Sequence, residues 1–380
     1  MRFDHLKSLY LSAVVMVLCL AAGLLLSQRK LLWLDELYTQ QTAIEANSYK
    51  GILSFRFPDG NKHPLFYLVQ KMTGDVLSYH LPVHFDKNFY TTRDVPSQVV
   101  LRIPSNFYMS LSLGLIFYFF TRFYSIFAAF YALAVALASP MVWMYWAEAR
   151  PYSLWFLLTT IQLLLLCCMS VAPRINTGLK LFLTHILLAF TTPASVFQIT
   201  IAAFIAWRKT RVNIKQLALI WALPMAIDSF YCFFDAATKI RTYMFFTNLF
   251  DAIMPERLFV YIIYAAVGWG LPAKYKKISW NIFFLPIFLC YLASGLFLLI
   301  SGLFVPISVS ISGFFSRYLI YLMPADILMY CLVSIDLRRW SRPYPWICMN
   351  VSIFLGGLVL IRALMTYRII VALALYLHSP

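Results

Sequence analysis

Two adjacent carboxylates, Asp35 and Glu36, follow the first apolar run of the chain, and the dipeptide His63-Pro64 comes later in the same polar stretch. Acidic groups at the lip of a membrane helix cost free energy unless they pair, meet water or act on something. Neighbours in a helix point about 100° apart, so these two cannot share one task face to face. One can face a cleft while the other holds a cation or caps a helix; equally, both can be solvated lip residues. His63 lies beside Asp59 and Lys62, a turn that can supply an acid and a phosphate-contacting cation, or be an ordinary exposed loop.

Further along, Tyr145-Trp146-Ala147-Glu148-Ala149-Arg150-Pro151-Tyr152 reads as the turn between two apolar runs. A Glu-x-Arg pair among aromatics serves either as an interfacial anchor or as a dock for a lipid phosphate, which the arginine fork suits. Ser316-Arg317-Tyr318 opens a later apolar run with a second arginine at the same level. Asp228 and Asp326 fall deeper inside apolar runs. They are either moving charges of a transporter or, more simply, groups paired within the bundle.

The elements that must position these residues are set by composition. Apolar residues make up 62% of 380 and charged residues 12%, with mean hydropathy +0.76. A soluble chain carries about 25% charged residues, and repeated apolar runs of roughly 18 or more residues indicate spanning helices. The expected fold is an all-α polytopic membrane protein with about eleven transmembrane helices. They are placed near 9–27, 101–121, 124–145, 152–171, 179–191, 194–207, 215–235, 257–273, 279–304, 317–335 and 346–364. The first run, following Arg2 and Lys7, reads as a retained signal-anchor because no small-x-small cleavage site precedes Trp33.

Net charge is +16, but the basic residues sit in short clusters between runs. They therefore read as topology signals and anionic-lipid contacts, and no nucleic-acid partner is expected. With a cytoplasmic N-terminus, the inner loops hold Arg122; Arg174 and Lys180; Arg208, Lys209, Arg211 and Lys215; Lys274, Lys276 and Lys277; and Arg338, Arg339 and Arg342. That pattern requires 179–207 to cross twice, with its break at Thr191-Thr192-Pro193. No C-x-x-C spacing occurs among the seven cysteines, so neither a zinc site nor a disulfide framework is expected.

The same topology places 28–100 outside as a long first loop. A structureless loop of that length is unfavourable in a compact protein. Leu34, Leu37, Tyr38, Gln41 and Ile44 share one side of a helix over 34–46, and Leu65, Leu68, Val69 and Met72 one side of a helix over 64–73. Both are expected to lie along the membrane face as a lid over the spans.

In this order the motifs resemble those of the GT-C superfamily of integral membrane glycosyltransferases. The resemblance is to the protein O-mannosyltransferase and lipid A aminoarabinose transferase group, with its lipopolysaccharide glycosyltransferase-like members. The family pattern is an Asp-Glu pair after the first span, an Asp-x-His-Pro-Pro-like element, a Glu-Ala-Arg-x-Tyr turn and an Arg-Tyr start to a late span. Here these read Asp35-Glu36, His63-Pro64, Glu148-Ala149-Arg150-Pro151-Tyr152 and Arg317-Tyr318. Asn61 stands where the family has aspartate, Leu65 where it has the second proline, and the hydrophobic tail from Arg362 to Pro380 leaves no room for the soluble domain common in the family.

The resemblance implies a GT-C-like transmembrane domain over 1–364 in a bacterial inner membrane, its site facing the periplasm or exterior. It implies inverting transfer of a sugar from a polyprenyl-phosphate donor to a glycolipid, glycan or protein acceptor. Asp35 is then the base and Glu36 its catalytic neighbour. Arg150 and Arg317 bind the leaving phosphate, assisted by His63 or Lys62, while Glu148, Tyr152 and Tyr318 complete the substrate contacts. Some family branches use a divalent metal; the altered acidic position at Asn61 favours none. Two other classes carry the same features: a lipid or glycan transporter or flippase working through Asp228 and Asp326, and an envelope glycan polymerase.

Overall fold

The computed structural model describes residues 4–54, 57, 61–79, 91–92, 94–171, 175–210, 214–238, 319–340 and 345–375. The described chain is helical apart from one two-residue antiparallel pairing, β1 (Leu32–Trp33) against β2 (Thr91–Thr92), in the register Leu32 to Thr92.

The first helix, α1 (His5–Arg29), starts where the Asp4 carboxylate accepts the Lys7 N–H at 2.7 Å. At about 1.5 Å per residue it reaches roughly 37 Å, enough to cross a bilayer core. Its buried residues are Ser8, Ser12, Val15, Cys19, Gly23 and Ser27, nearly all small and spaced on one face. That seam lies against α6 (Ile103–Phe123). Small side chains let two backbones approach closely, which is how helices associate where lipid removes the hydrophobic drive. The large side chains of α1, among them Leu6, Tyr10, Val17, Leu18 and Leu25, point outward and are exposed.

Between α1 and α6 the chain folds into short helices. These are α2 (Leu34–Tyr38), a π-helical segment Thr39–Glu45, α3 (Tyr49–Leu53), α4 (Leu65–Val76) and α5 (Val95–Val100). The expected helix over 34–46 is thus present but widens midway. The Thr42 hydroxyl donates to Tyr38 O at 2.6 Å and Asn47 Nδ2 to Thr42 O at 2.7 Å, occupying carbonyls of the ladder. The helix over 64–73 is present too, but with a different inner face. Phe66, Tyr67 and Gln70 are buried, whereas Met72 is exposed. The contact of Tyr67 with Phe57, ring centroids 4.8 Å apart, and the Gln70 Nε2 bond to Leu101 O at 2.6 Å decide the rotation.

After α6 come α7 (Ile126–Leu137), α8 (Pro140–Trp146), α9 (Tyr152–Val171), α10 (Ile175–Ala189), α11 (Ser195–Thr210) and α12 (Ile214–Thr238). A turn of 3-10 helix, Leu319–Leu322, then leads into α13 (Met323–Trp340), and α14 (Pro345–Leu375) follows. The apolar run 124–145 is not one straight span: it breaks at Ser139-Pro140 with a bend of 74°, proline taking the first position of the new helix. The stretch 179–207 forms two helices, α10 and α11, separated by the turn at Phe190–Ala194.

Among the described residues three helices are long and apolar enough to cross a membrane, His5–Arg29, Val95–Phe123 and Tyr152–Met169. A fourth is added if the bent pair α7–α8 is one span. Eleven spans are therefore not shown; the expected spans at 257–273 and 279–304 lie outside the described residues. The core is continuous through α6, α7, α9 and α13, with Trp146, Trp155, Phe117, Phe120 and Tyr330 among its largest buried side chains.

Candidate functional site

The Asp35-Glu36 pair opens α2, immediately beyond the end of α1. Glu36 is buried at 1% exposure and held on both oxygens. Arg102 Nε donates to Oε1 at 2.8 Å and Arg102 Nη2 to Oε2 at 2.6 Å, a bidentate pair with both side chains at 0% exposure. The remaining N–H groups of Arg102 go to the carboxyl end of α1: Leu31 O at 2.7 Å, Ser27 O at 3.3 Å, and Lys30 O. Every donor of the guanidinium fork is used. A cation there also complements the negative end of α1.

Glu36 Oε1 accepts a third bond, from the Ala149 N–H at 2.8 Å. This ties the turn 147–151 to α2. Burial pushes the Glu36 carboxyl up, but Arg102, then Lys30 and the Ala149 N–H, outweigh it and hold the group below its ordinary value. Lys30 reaches the same turn. Its Nζ lies 3.6 Å from Glu148 Oε2 and donates to Met144 O at 2.7 Å. Burial pulls its ammonium below the ordinary value, against Glu148, which pulls it up.

Arg150 closes the arrangement. Its Nη1 donates to the Thr39 hydroxyl, where the π-helical segment begins, and lies 3.4 Å from the backbone oxygen of Asp35. The turn is set locally by the Arg150 N–H bond to Glu148 O at 2.8 Å, and Pro151 O caps into α9 through the Trp155 N–H at 2.9 Å. Tyr152 is buried with its ring 4.8 Å from that of Tyr145. Asp35 itself is half-buried. The structure therefore brings Asp35, Glu36, Glu148, Arg150 and Tyr152 to one end of α1, α6 and α9.

Arg317 and Tyr318, like Asp59, lie outside the described residues. Tyr321, a little further on, stacks on Trp155 in the first turn of α9, with centroids 5.0 Å apart and planes at 18°.

His63 and Lys62 form a second centre. His63 is fully buried, its Nε2 2.9 Å from Asp228 Oδ1 on α12. Lys62 is 4% exposed, its ammonium bonded to Phe57 O and 5.1 Å from the Phe57 ring centre. Both face protein groups, not solvent. Asp228 is thus paired inside the bundle, with its partner on the first inter-span segment.

Arg102 is the residue that sequence reasoning missed. It stands at the edge of an apolar run, where it reads as part of the span. The available signal was a charged residue at the edge of an apolar run, which is costly unless it is paired. Compared with protein-family models, with curated proteins and with solved structures, the chain matches none.

Proposed function

We propose that this chain is a membrane glycosyltransferase of the GT-C type, moving a sugar from a polyprenyl-phosphate donor to a cell-envelope acceptor. One observation carries the reading: the Asp35-Glu36 helix and the Glu148–Tyr152 turn meet, through the Ala149 N–H on Glu36 and Arg150 beside Asp35 O, across 113 and 115 residues of chain. Two motifs weak in isolation gain weight when they share a site.

In this reading the acceptor hydroxyl attacks the anomeric carbon while the bond to the phosphate oxygen breaks. Asp35 takes the hydroxyl proton as general base. Arg150, with Arg317 as its proposed partner, compensates the charge growing on the leaving phosphate. Glu36, saturated by Arg102 and Ala149, orients Asp35 and the turn and does not itself take a proton. The π-helical segment at Thr39 fits a functional location, since such distortions are frequent at functional sites. Lys62 and His63, both buried, serve to dock their segment.

The test is transfer in membranes supplied with a labelled polyprenyl-phosphate sugar. Asp35→Asn should abolish transfer at unchanged protein level; retained transfer would move the base elsewhere. Use of a diphosphate-linked oligosaccharide in place of the monophosphate would favour a polymerase. A phenotype from Asp326→Asn with none from Asp35→Asn would favour a transporter.

A further inference from the structure

Lys30 stands where α1 ends, and its backbone is held there. Its N–H donates to Leu26 O at 2.9 Å and its carbonyl accepts from Arg102. The side chain crosses to the neighbouring elements. Nζ donates to Met144 O at 2.7 Å, in the last turn of α8, and lies 3.6 Å from Glu148 Oε2. The helix α8 runs beside the end of α1, since a Cβ on Gly23, two turns before Lys30 on the same face, would meet Trp146.

An ammonium carries three N–H donors. Met144 O and Glu148 take two at most, so one remains for an incoming acceptor. The Lys30 side chain is 16% exposed, which makes that donor reachable. Its charge is also under-compensated: burial, helped by Arg102, draws the ammonium below its ordinary value in spite of Glu148 and Glu36. An additional anion here would relieve that deficit. Arg102 cannot serve the same end, because its donors are committed to Glu36 and to carbonyls at and just beyond the end of α1. Beside the ammonium the surface turns apolar. Leu26, one turn back on the same face, is half-buried, and Met144 is exposed. A cation at the end of a spanning helix with an apolar strip next to it suits an anionic headgroup that carries a hydrocarbon tail.

We infer that Lys30 binds the phosphate of a polyprenyl phosphate, with the start of its tail lying along Leu26 and Met144. The choice of a lipid-borne phosphate rests on the reading proposed above, in which the donor's leaving group is one. Lys30 then acts beside Arg150, which sits two residues beyond Glu148 on the same turn. Lysine contributes a compact point charge there and arginine a planar fork.

The experiment is ligand binding to the full chain in nanodiscs of zwitterionic lipid, read from the ligand-induced rise in unfolding temperature. The probes are a polyprenyl monophosphate, the matching polyprenol and inorganic phosphate. The wild type should bind the polyprenyl monophosphate saturably and the other two far more weakly. Lys30→Gln keeps a donor for Met144 O without the charge and should weaken binding about tenfold or more. Lys30→Arg should restore it, and Arg29→Gln, at the exposed neighbouring position, should change little. Equal affinity in the wild type and Lys30→Gln, or an equal loss in Arg29→Gln, would overturn the inference. So would polyprenol or inorganic phosphate binding as tightly as the lipid phosphate.

Should Lys30→Gln fail to fold, the pH profile decides. Above about pH 8 a phosphate monoester is fully ionised, so wild-type affinity should fall as pH rises through the lowered Lys30 value, while Lys30→Arg holds. Parallel profiles count against the site. Binding is measured without transfer, so the two proposals fail separately. A wild type that binds through Lys30 but moves no sugar sinks the enzyme reading alone; one that moves sugar while Lys30→Gln binds undiminished sinks this one.

Discussion

Arg102 grips both oxygens of Glu36 across 66 residues of chain while its other donors hold carbonyls at and just beyond the end of α1. The end of one spanning helix and the start of the next are thereby fixed to each other and, through the Ala149 N–H, to the turn before α9. Asp35 and Arg150 are carried on what this clamp holds.

Breaking the clamp from one side should be costly. Arg102→Gln or Glu36→Gln leaves an uncompensated buried charge, expected to lower stability by about 3–5 kcal/mol. The double variant, with two neutral amides facing each other, should lose clearly less than the sum of the singles. Thermal unfolding in detergent across the four proteins checks this, and additive losses would show that the pair is not coupled.

The same pair gives a pH dependence whose sign follows from the depressed Glu36 carboxyl. Its native pKa lies below the unfolded value, so its contribution to stability is present above the unfolded value. That contribution is lost as pH falls through the native one. Acid should therefore destabilise the wild type more steeply than Glu36→Gln. Parallel acid-unfolding curves for the two proteins would contradict it.

Asp35 and Glu36 should separate by phenotype despite being adjacent. Asp35→Asn removes the proposed base from a half-buried position and should abolish transfer with little change in unfolding temperature. Glu36→Gln should depress both. Arg150→Ala should lower transfer by about 10²–10³-fold if it compensates the leaving phosphate. Arg150→Lys should restore little, since an ammonium lacks the planar, multi-donor guanidinium face that suits a phosphate. Steady-state transfer rates beside unfolding temperatures check all four variants.

Length and hydropathy made α1, α6 and α9 legible, because a run of apolar residues bounded by Asp4, Arg102 or Pro151 has few alternatives to a spanning helix. The convergence of Asp35 with Arg150 was reachable by counting alternate membrane faces. Arg102 was not, since a residue at the edge of an apolar run is indistinguishable from its lip until its partner is known. His63 and Asp228 were both noticed, but their pairing spans 165 residues and leaves no periodic trace. The α4 face went astray for a different reason: hydrophobic count favoured Leu65, Leu68, Val69 and Met72, while tertiary contacts of Phe66, Tyr67 and Gln70 decided the burial.

The seam between α1 and α6 offers the sharpest packing test. A Cβ on Gly23 would lie 2.5 Å from Trp146 Nε1 and 2.6 Å from Asn106 Oδ1. Trp146 is 1% exposed and Asn106 0%, and Asn106 is also committed to Ser27 Oγ at 2.8 Å, so neither has room to yield. Alanine is the better helix former by about 1 kcal/mol, yet overpacking of this kind costs about 1–3 kcal/mol. Gly23→Ala should therefore destabilise. Gly178 on α10 would place its Cβ in open space, and Gly178→Ala should be neutral or mildly stabilising. Thermal unfolding of the two variants side by side is the measurement, and a Gly23→Ala protein as stable as Gly178→Ala would mean that α1 does not pack on this seam.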